Sequence, residues 1–255
     1  MNWHKLKDKL GFKRGPEVIC FPPADRVFAE NAETLQLVFF PLCSVRVAPE
    51  GSGPAHWYHF VDRWNNGTAD PELFDRFSTR DGLRFTVTEE GYQFEGEPSR
   101  FPSFDRLKEW REEALAEFNE NAEAYLPVLD HAEAANSNLR QRETARYAVD
   151  YDYGLYTSQV ISYLITRERF RRTGELQSRS SYSKKAVVPP FPPTDHLGGT
   201  PQWEQHDVWP LGVSGNLMRY IGKVTGYHYL MHGSDAIFLF HDEAEKRVQQ
   251  VFQYG

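Results

Sequence analysis

Histidines and carboxylates are the residues in this chain whose spacing invites chemistry. His56 and His59 stand three apart and His228 and His232 four apart. His206 precedes Asp207, and His241 precedes Asp242 and Glu243. A transition-metal site needs three or more such ligands converging on one point. The stretch Gly226–Gly233, which carries His228 and His232, reads as strand and turn, so its spacing does not align the two rings as a helix would. No obligatory metal is expected. His131-Ala-Glu133 matches half of the zinc-deaminase signature, but no Pro-Cys-x-x-Cys follows it. Cys20 and Cys43 lie in apolar runs. They are too few for a disulfide scaffold and read as buried thiols. The chain contains no Gly-x-x-x-x-Gly-Lys-Ser/Thr loop, no Gly-x-Gly-x-x-Gly and no Gly-x-Ser-x-Gly elbow. Among 36 acidic residues no acid–base pair stands out. The sequence therefore nominates no catalytic residue and no cofactor.

Recognition is the chemistry left. The chain has 18 Phe, 13 Tyr and 6 Trp against 3 Met, so rigid rings are available as interface anchors. Trp57 and Trp64 are the candidates. A net charge of −7 argues against nucleic acid as a partner and suits a basic protein. That charge is uneven. Between Glu109 and Glu133 lie eight acidic residues and one basic one, whereas Arg167–Lys185 holds seven basic and two acidic. One reading is two solvated faces that partly neutralise each other. The other is an acidic helix that meets a basic partner such as a nuclease or another toxin domain, because charge complementarity speeds and selects association. On that reading the contacts are Glu109, Glu112, Glu113, Glu117, Glu120 and Glu123.

The elements that would position these residues follow from periodicity. Strands are expected at Glu17–Phe21, Thr34–Phe40 and Cys43–Val47, with Pro41 at a strand end or bulge. Others are expected at His56–Val61, Gly82–Thr88 and from Tyr92 to Glu95, the last two forming a hairpin through Glu89-Glu-Gly91. Ser103 is placed to cap a long helix whose apolar stripe is Leu107, Trp110, Ala114, Phe118, Ala122, Tyr125 and Leu129, with Pro127 kinking or ending it. A second helix is expected around 131–148, with Leu139, Ala145 and Ala148 inward. A third is expected at Gln159–Arg172, carrying Val160, Ile161, Leu164, Ile165 and Phe170. Residues 173–186 read as an exposed loop, followed by the Pro-rich hinge Val187–Pro193. Strands then recur at Asn216–Val224, weakly at Tyr227–Leu230, at Ala236–Phe240 and at Val248–Gln253. The order is α+β with mainly antiparallel sheet in a single domain of 255 residues. It has a strand-rich part (15–101), a helical part (103–172) and a second strand-rich part (187–255). Met1–Arg14 reads as a short basic amphipathic helix without the apolar core of a signal peptide. No run approaches the roughly 20 apolar residues of a membrane span. A cytoplasmic, bacterial-style protein with no membrane partner is expected.

One segment is more specific. Leu197-Gly-Gly-Thr-Pro-Gln-Trp-Glu-Gln205 resembles the Gly-Gly-x-Pro-x-aromatic-x-Gln signature of the bacterial YwqG-like family. Leu217–Val224 is similar to that family's main strand, and Ala236–Phe240 and Val248–Phe252 to its closing strands. The resemblance covers about the last 60 residues. His232-Gly-Ser-Asp235 only loosely echoes the family's Asp-x-Gly, and residues 1–185 have no counterpart. The resemblance implies an α+β fold without established enzyme activity, in a family whose related domains serve as immunity proteins beside secreted toxins. Physically, Gly198 and Gly199 permit positive φ, Pro201 fixes the exit, Trp203 packs, and Gln205 can satisfy buried backbone groups. The first functional expectation is thus an immunity protein that neutralises a cognate toxin by direct contact. The alternative is an enzyme or small-molecule binder with a pocket near Trp203, Gln205 and His206. A structural or regulatory domain is the third.

Overall fold

The computed structural model describes residues 17–48, 55–64, 78–79, 82–94, 96–126, 138–176, 190–230 and 233–254. Two antiparallel sheets and a set of helices make an α+β fold. The first sheet has strand order β1 (Glu17–Cys20), β2 (Phe39–Val47) and β3 (His56–Arg63). The second runs β4 (Ser78–Thr79), β5 (Gly82–Val87), β10 (Arg247–Gln253), β9 (Ala236–Asp242), β8 (Arg219–Val224), β7 (His196–Leu197), with β6 (Tyr92–Gln93) paired to β5 as the expected hairpin. The last strand in sequence is therefore central, paired to β5 on one side and β9 on the other.

The apolar run Thr34–Phe40 is not one strand. Its first half belongs to helix α2 (Ala32–Val38), which follows the single turn α1 (Ala24–Val27); its second half opens β2. Leu35, Leu37 and Phe39 alternate and mimic a strand, but Leu35 and Val38 share the buried helical face. Context outweighed local pattern here. Pro41 sits at a register shift in β2, where a missing N–H costs no ladder bond. The expected strand at Tyr227–Leu230 is instead a 3₁₀ turn at Gly226–His228. Its geometry depends on Gly226, where a Cβ would stand 2.6 Å from Asp62 Oδ2 and 2.8 Å from the backbone of Ser234.

Helix α3 (Phe104–Tyr125) buries Leu107, Trp110, Ala114 and Tyr125, with Phe118 and Ala122 partly buried on the same core. Ser103 does not cap it; the residue adopts a left-handed conformation and its hydroxyl donates to Asp152 at 2.9 Å. Pro127, Leu129 and 131–137 lie outside the described residues, as does the side chain of Leu139. Helix α4 (Asn138–Val149) turns Ala145 and Ala148 outward and buries Arg146, contrary to the inward alanines expected. Helix α5 (Tyr151–Thr173) begins well before Gln159 because the Asp150 carboxylate accepts from Tyr153 N and caps it. Buried Thr157, Ser162 and Thr166 return their hydroxyls to helix carbonyls, so these polar residues are satisfied inside the core. Tyr156 and Tyr163, two turns apart, donate to Leu37 O and Pro41 O and so tie α5 to α2 and β2. Arg169 donates to Tyr125 O and Leu126 O, neutralising the C-terminal end of α3.

The two sheets join at the outer edge of β3. A free edge carries N–H groups that must be satisfied. Here His59 N donates to the Tyr92 hydroxyl and Val61 N to Gln250 Oε1, both at 2.9 Å. Beyond them the buried Asp62 carboxylate accepts from Ser234 N and Ser234 Oγ, and Arg63 N donates to it as well. Burial pushes the Asp62 carboxyl above its ordinary pKa, and these bonds together with the Arg63 charge pull it back. Trp64 closes the junction, with its indole N–H on Pro102 O. One hydrophobic core runs continuously through both sheets and the helices. The opposite face of the second sheet is covered by Trp203, Val208 and Trp209. Cys20 and Cys43 stand opposite each other on β1 and β2 as free thiols, Cys43 buried and Cys20 half-buried. Burial raises both, Cys20 to about 11. Among the described residues no helix is long and apolar enough to cross a membrane.

Tyr92→Phe keeps the ring but strands the buried His59 N–H. Urea unfolding should show a loss of about 1–3 kcal/mol. A loss near zero would remove this bond from the junction.

Candidate functional site

The six acidic residues nominated on α3 separate into two sets. Glu117 faces inward and holds the buried Arg146 at 2.6 Å while accepting from the Tyr125 hydroxyl at 2.7 Å. Glu113 accepts from the Tyr153 hydroxyl, and Glu123 pairs with Arg172 across to α5. Glu109, Glu112 and Glu120 are exposed and have no partner among the described residues. The basic stretch is also committed: Arg171 and Arg172 both bind Glu168, holding its carboxyl down at about 2. Arg179, Lys184 and Lys185 lie outside the described residues.

The aromatic candidates differ as sharply. Trp57 is half-buried at the mouth of a cleft, whereas Trp64 is 1% exposed and can touch no partner. The correction has a simple cause: Trp64 ends β3 where the chain enters the core, and its ring lies edge-on to Tyr156.

Trp203, Gln205 and His206, the residues of the alternative reading, have different surroundings. Trp203 packs on Phe238, Phe240 and Trp209. Gly198 and Gly199 adopt positive φ, as the motif requires. The loop's backbone is satisfied by Gln253 instead of Gln205: Gln253 Oε1 accepts from the N–H groups of Glu204 and Gln205, and its amide donates to His206 O. Gln205 reaches out to Tyr254 O, and His206 is exposed.

The structure places a cleft elsewhere, around the edge of β3. Its volume is about 790 Å³. On one face of β3, Ser44 Oγ lies 2.7 Å from His59 Nδ1, and the imidazole stands edge-on to Tyr92. On the other face, Arg219 donates to the Tyr58 hydroxyl at 2.8 Å while also binding Glu243, and Tyr58 lies 3.0 Å from His241 Nδ1. Burial drives His59 down to about 4. Burial, helped by the Arg219 charge, drives His241 to about 4 as well. Both rings are neutral at pH 7.

Sequence reasoning weighed His59 and His241 only as metal ligands. On a strand, His56 and His59 fall on opposite faces and cannot converge. His228 stacks on Phe191, its pKa lowered by burial against the opposing pull of Asp195, and His232 lies outside the described residues. No group of three or more His, Cys, Asp or Glu among the described residues could hold a metal ion. Ser44, Tyr58, Tyr92 and Arg219 carried no signal, because cross-strand register and inter-sheet contact are not encoded in local spacing. Comparison with family models, curated proteins and solved structures found no match to this chain.

Two predictions follow from burial. Glu117→Gln leaves Arg146 buried without its carboxylate and should cost about 3 kcal/mol in urea unfolding, whereas Glu112→Gln should stay within about 0.5 kcal/mol. Equal effects would refute the division of the helix into inner and outer carboxylates. His59 titrates near 6.5 in an unfolded chain and at about 4 here. Between those values the unfolded state binds more protons. Its contribution is complete above pH 6.5 and is lost as pH falls to about 4, on the order of 3 kcal/mol. His59→Asn should therefore show a shallower loss of stability between pH 6.5 and 4 than the unsubstituted chain; parallel curves would contradict a neutral buried imidazole.

Proposed function

We propose that this chain works by recognition, binding a basic protein domain through the outer ridge of α3 as an immunity protein binds a cognate toxin. The observation that carries the reading is the fate of the carboxylates. Glu117 is half-buried on Arg146, and Glu113 and Glu123 are paired at the surface with Tyr153 and Arg172; Glu109, Glu112 and Glu120 have no partner among the described residues. At 100° per residue Glu109 and Glu120 lie about 20° apart around the helix, with Glu112 about 60° away, along about 16 Å of axis. That is one acidic ridge, interrupted by the exposed Glu123–Arg172 pair, on a helix held from behind by Arg146 and Arg169.

The physical logic is steering. Unpaired carboxylates in water add little to stability but raise the encounter rate with a basic surface, and they do so within a Debye length of about 8 Å. The net charge of −7 adds to that field. The resemblance of about the last 60 residues to the YwqG-like family supports the immunity reading, and a nuclease or another basic toxin domain is the partner it favours. Neutralisation would then follow from covering the toxin's own active site. A cytoplasmic location belongs to the same proposal.

The test is binding to a toxin domain encoded beside this chain. Binding should be nanomolar at low salt and weaken as salt rises. Glu109→Lys, Glu112→Lys and Glu120→Lys combined should lower the association rate by about 100-fold at low salt with an unchanged thermal midpoint. Unchanged binding by that variant, or no complex with the neighbouring toxin, overturns the proposal.

A further inference from the structure

Independently of the acidic ridge, we propose that the cleft around β3 is a binding site for a small uncharged heteroaromatic molecule of the nucleobase or nucleoside class.

Size comes first. About 790 Å³ falls within the range of small-molecule sites, which are typically mostly apolar with a few placed polar groups. Trp57, half-buried, lines it and supplies one flat wall for a planar ligand, while Tyr58 and Tyr92, closed off within the fold, hold the two imidazoles in place.

The polar groups then choose the chemistry. Both imidazoles use Nδ1 internally, His59 toward Ser44 and His241 toward Tyr58. Neither Nε2 has a hydrogen-bond partner among the described residues; His241 is half-buried and His59 is 7% exposed. For His241 the tautomer follows from the bonds. The Tyr58 oxygen accepts from Arg219, so its own proton is the one shared with His241 Nδ1. Nδ1 is then the acceptor, and in a neutral ring Nε2 carries the hydrogen. The cleft thus offers a fixed N–H donor to a ring nitrogen or carbonyl oxygen of the occupant. His59 adds a second polar atom whose role follows the direction of the Ser44 bond. A plain hydrocarbon ring would leave both without partners, which a buried site penalises.

Charge excludes the ionic alternatives. Arg26 and Lys246 at the rim are matched in number by Glu89 and Glu90, all four exposed to water, and Glu243 pairs with Arg219. The rim thus carries no formal excess of either sign to prefer a phosphate or an amine, so the base or nucleoside fits and its phosphorylated form gains nothing.

The experiment is NMR on the intact chain, following the imidazole Hε1 signals of His59 and His241 and the Trp57 indole signal. The probes are adenosine and uridine, with adenosine monophosphate for comparison. At least one nucleoside should shift all three signals saturably at about 1 mM or below. The monophosphate should bind no more tightly, and His241→Phe should weaken the nucleoside by about fivefold or more, matching loss of one hydrogen bond. No saturable shift with either nucleoside overturns the proposal. A monophosphate that binds about tenfold tighter overturns the uncharged-ligand assignment. If His241→Phe does not fold, the titration of the unsubstituted chain still decides, because the shifts are read on the two rings themselves.

Discussion

The joint between the two sheets is the interaction on which the rest of the molecule depends. β3 does not continue into the second sheet through a backbone ladder. Side chains from that sheet reach to its edge instead: the Tyr92 hydroxyl to His59 N, Gln250 to Val61 N, and Ser234 to the Asp62 carboxylate. A ladder would bring the backbones within about 5 Å. Side-chain bridges hold them further apart, and space is left beside the joint. The cleft is that space. The same phenol that satisfies a strand edge also stands against the His59 ring, so the joint and the cleft share one residue.

The helices serve a different purpose. α5 is buried along most of its length and anchors both neighbours, through tyrosine hydroxyls on α2 and β2 and through Arg169 and Arg172 on α3. α3 therefore sits on the molecule with its inner carboxylates compensated. Polar residues inside a fold are costly unless paired, and here the pairs do the positioning: Arg146 with Glu117 fixes α4 on α3. An outward charge ridge on a mobile helix would present an average; on this one it presents a shape.

Most of the secondary structure was legible from the chain itself. The 3.6-residue stripe of α3, the hairpin through Gly91 and the four apolar runs that became β3, β5, β9 and β10 needed no context. The failures have particular causes. Leu35, Leu37 and Phe39 satisfied two periods at once. Gly154, Thr157 and Ser158 disguised the buried start of α5. Gly226 suits a turn only because Asp62 approaches from a strand more than 160 residues away. Of the surface candidates, spacing could place the carboxylates on one helix but could not tell inner from outer, since that depends on where Arg146 and Tyr153 arrive. Trp57 and Trp64 have similar neighbourhoods in sequence and opposite fates. The cleft was not legible at all, because its polar groups come from five different strands.

The position of β10 has a consequence for how the molecule is made. It leaves the ribosome after β1 to β9, yet it lies between β5 and β9. Until residues 247–253 emerge, the second sheet is split: β5 with its short neighbours is one fragment, and β9 with β8 and β7 the other, each with an unsatisfied backbone edge. Gln250 arrives on the same strand, so the bridge to β3 is postponed too. A nascent chain stalled before Arg247 would expose two sticky strand edges and a half-formed joint, the state a holding chaperone recognises.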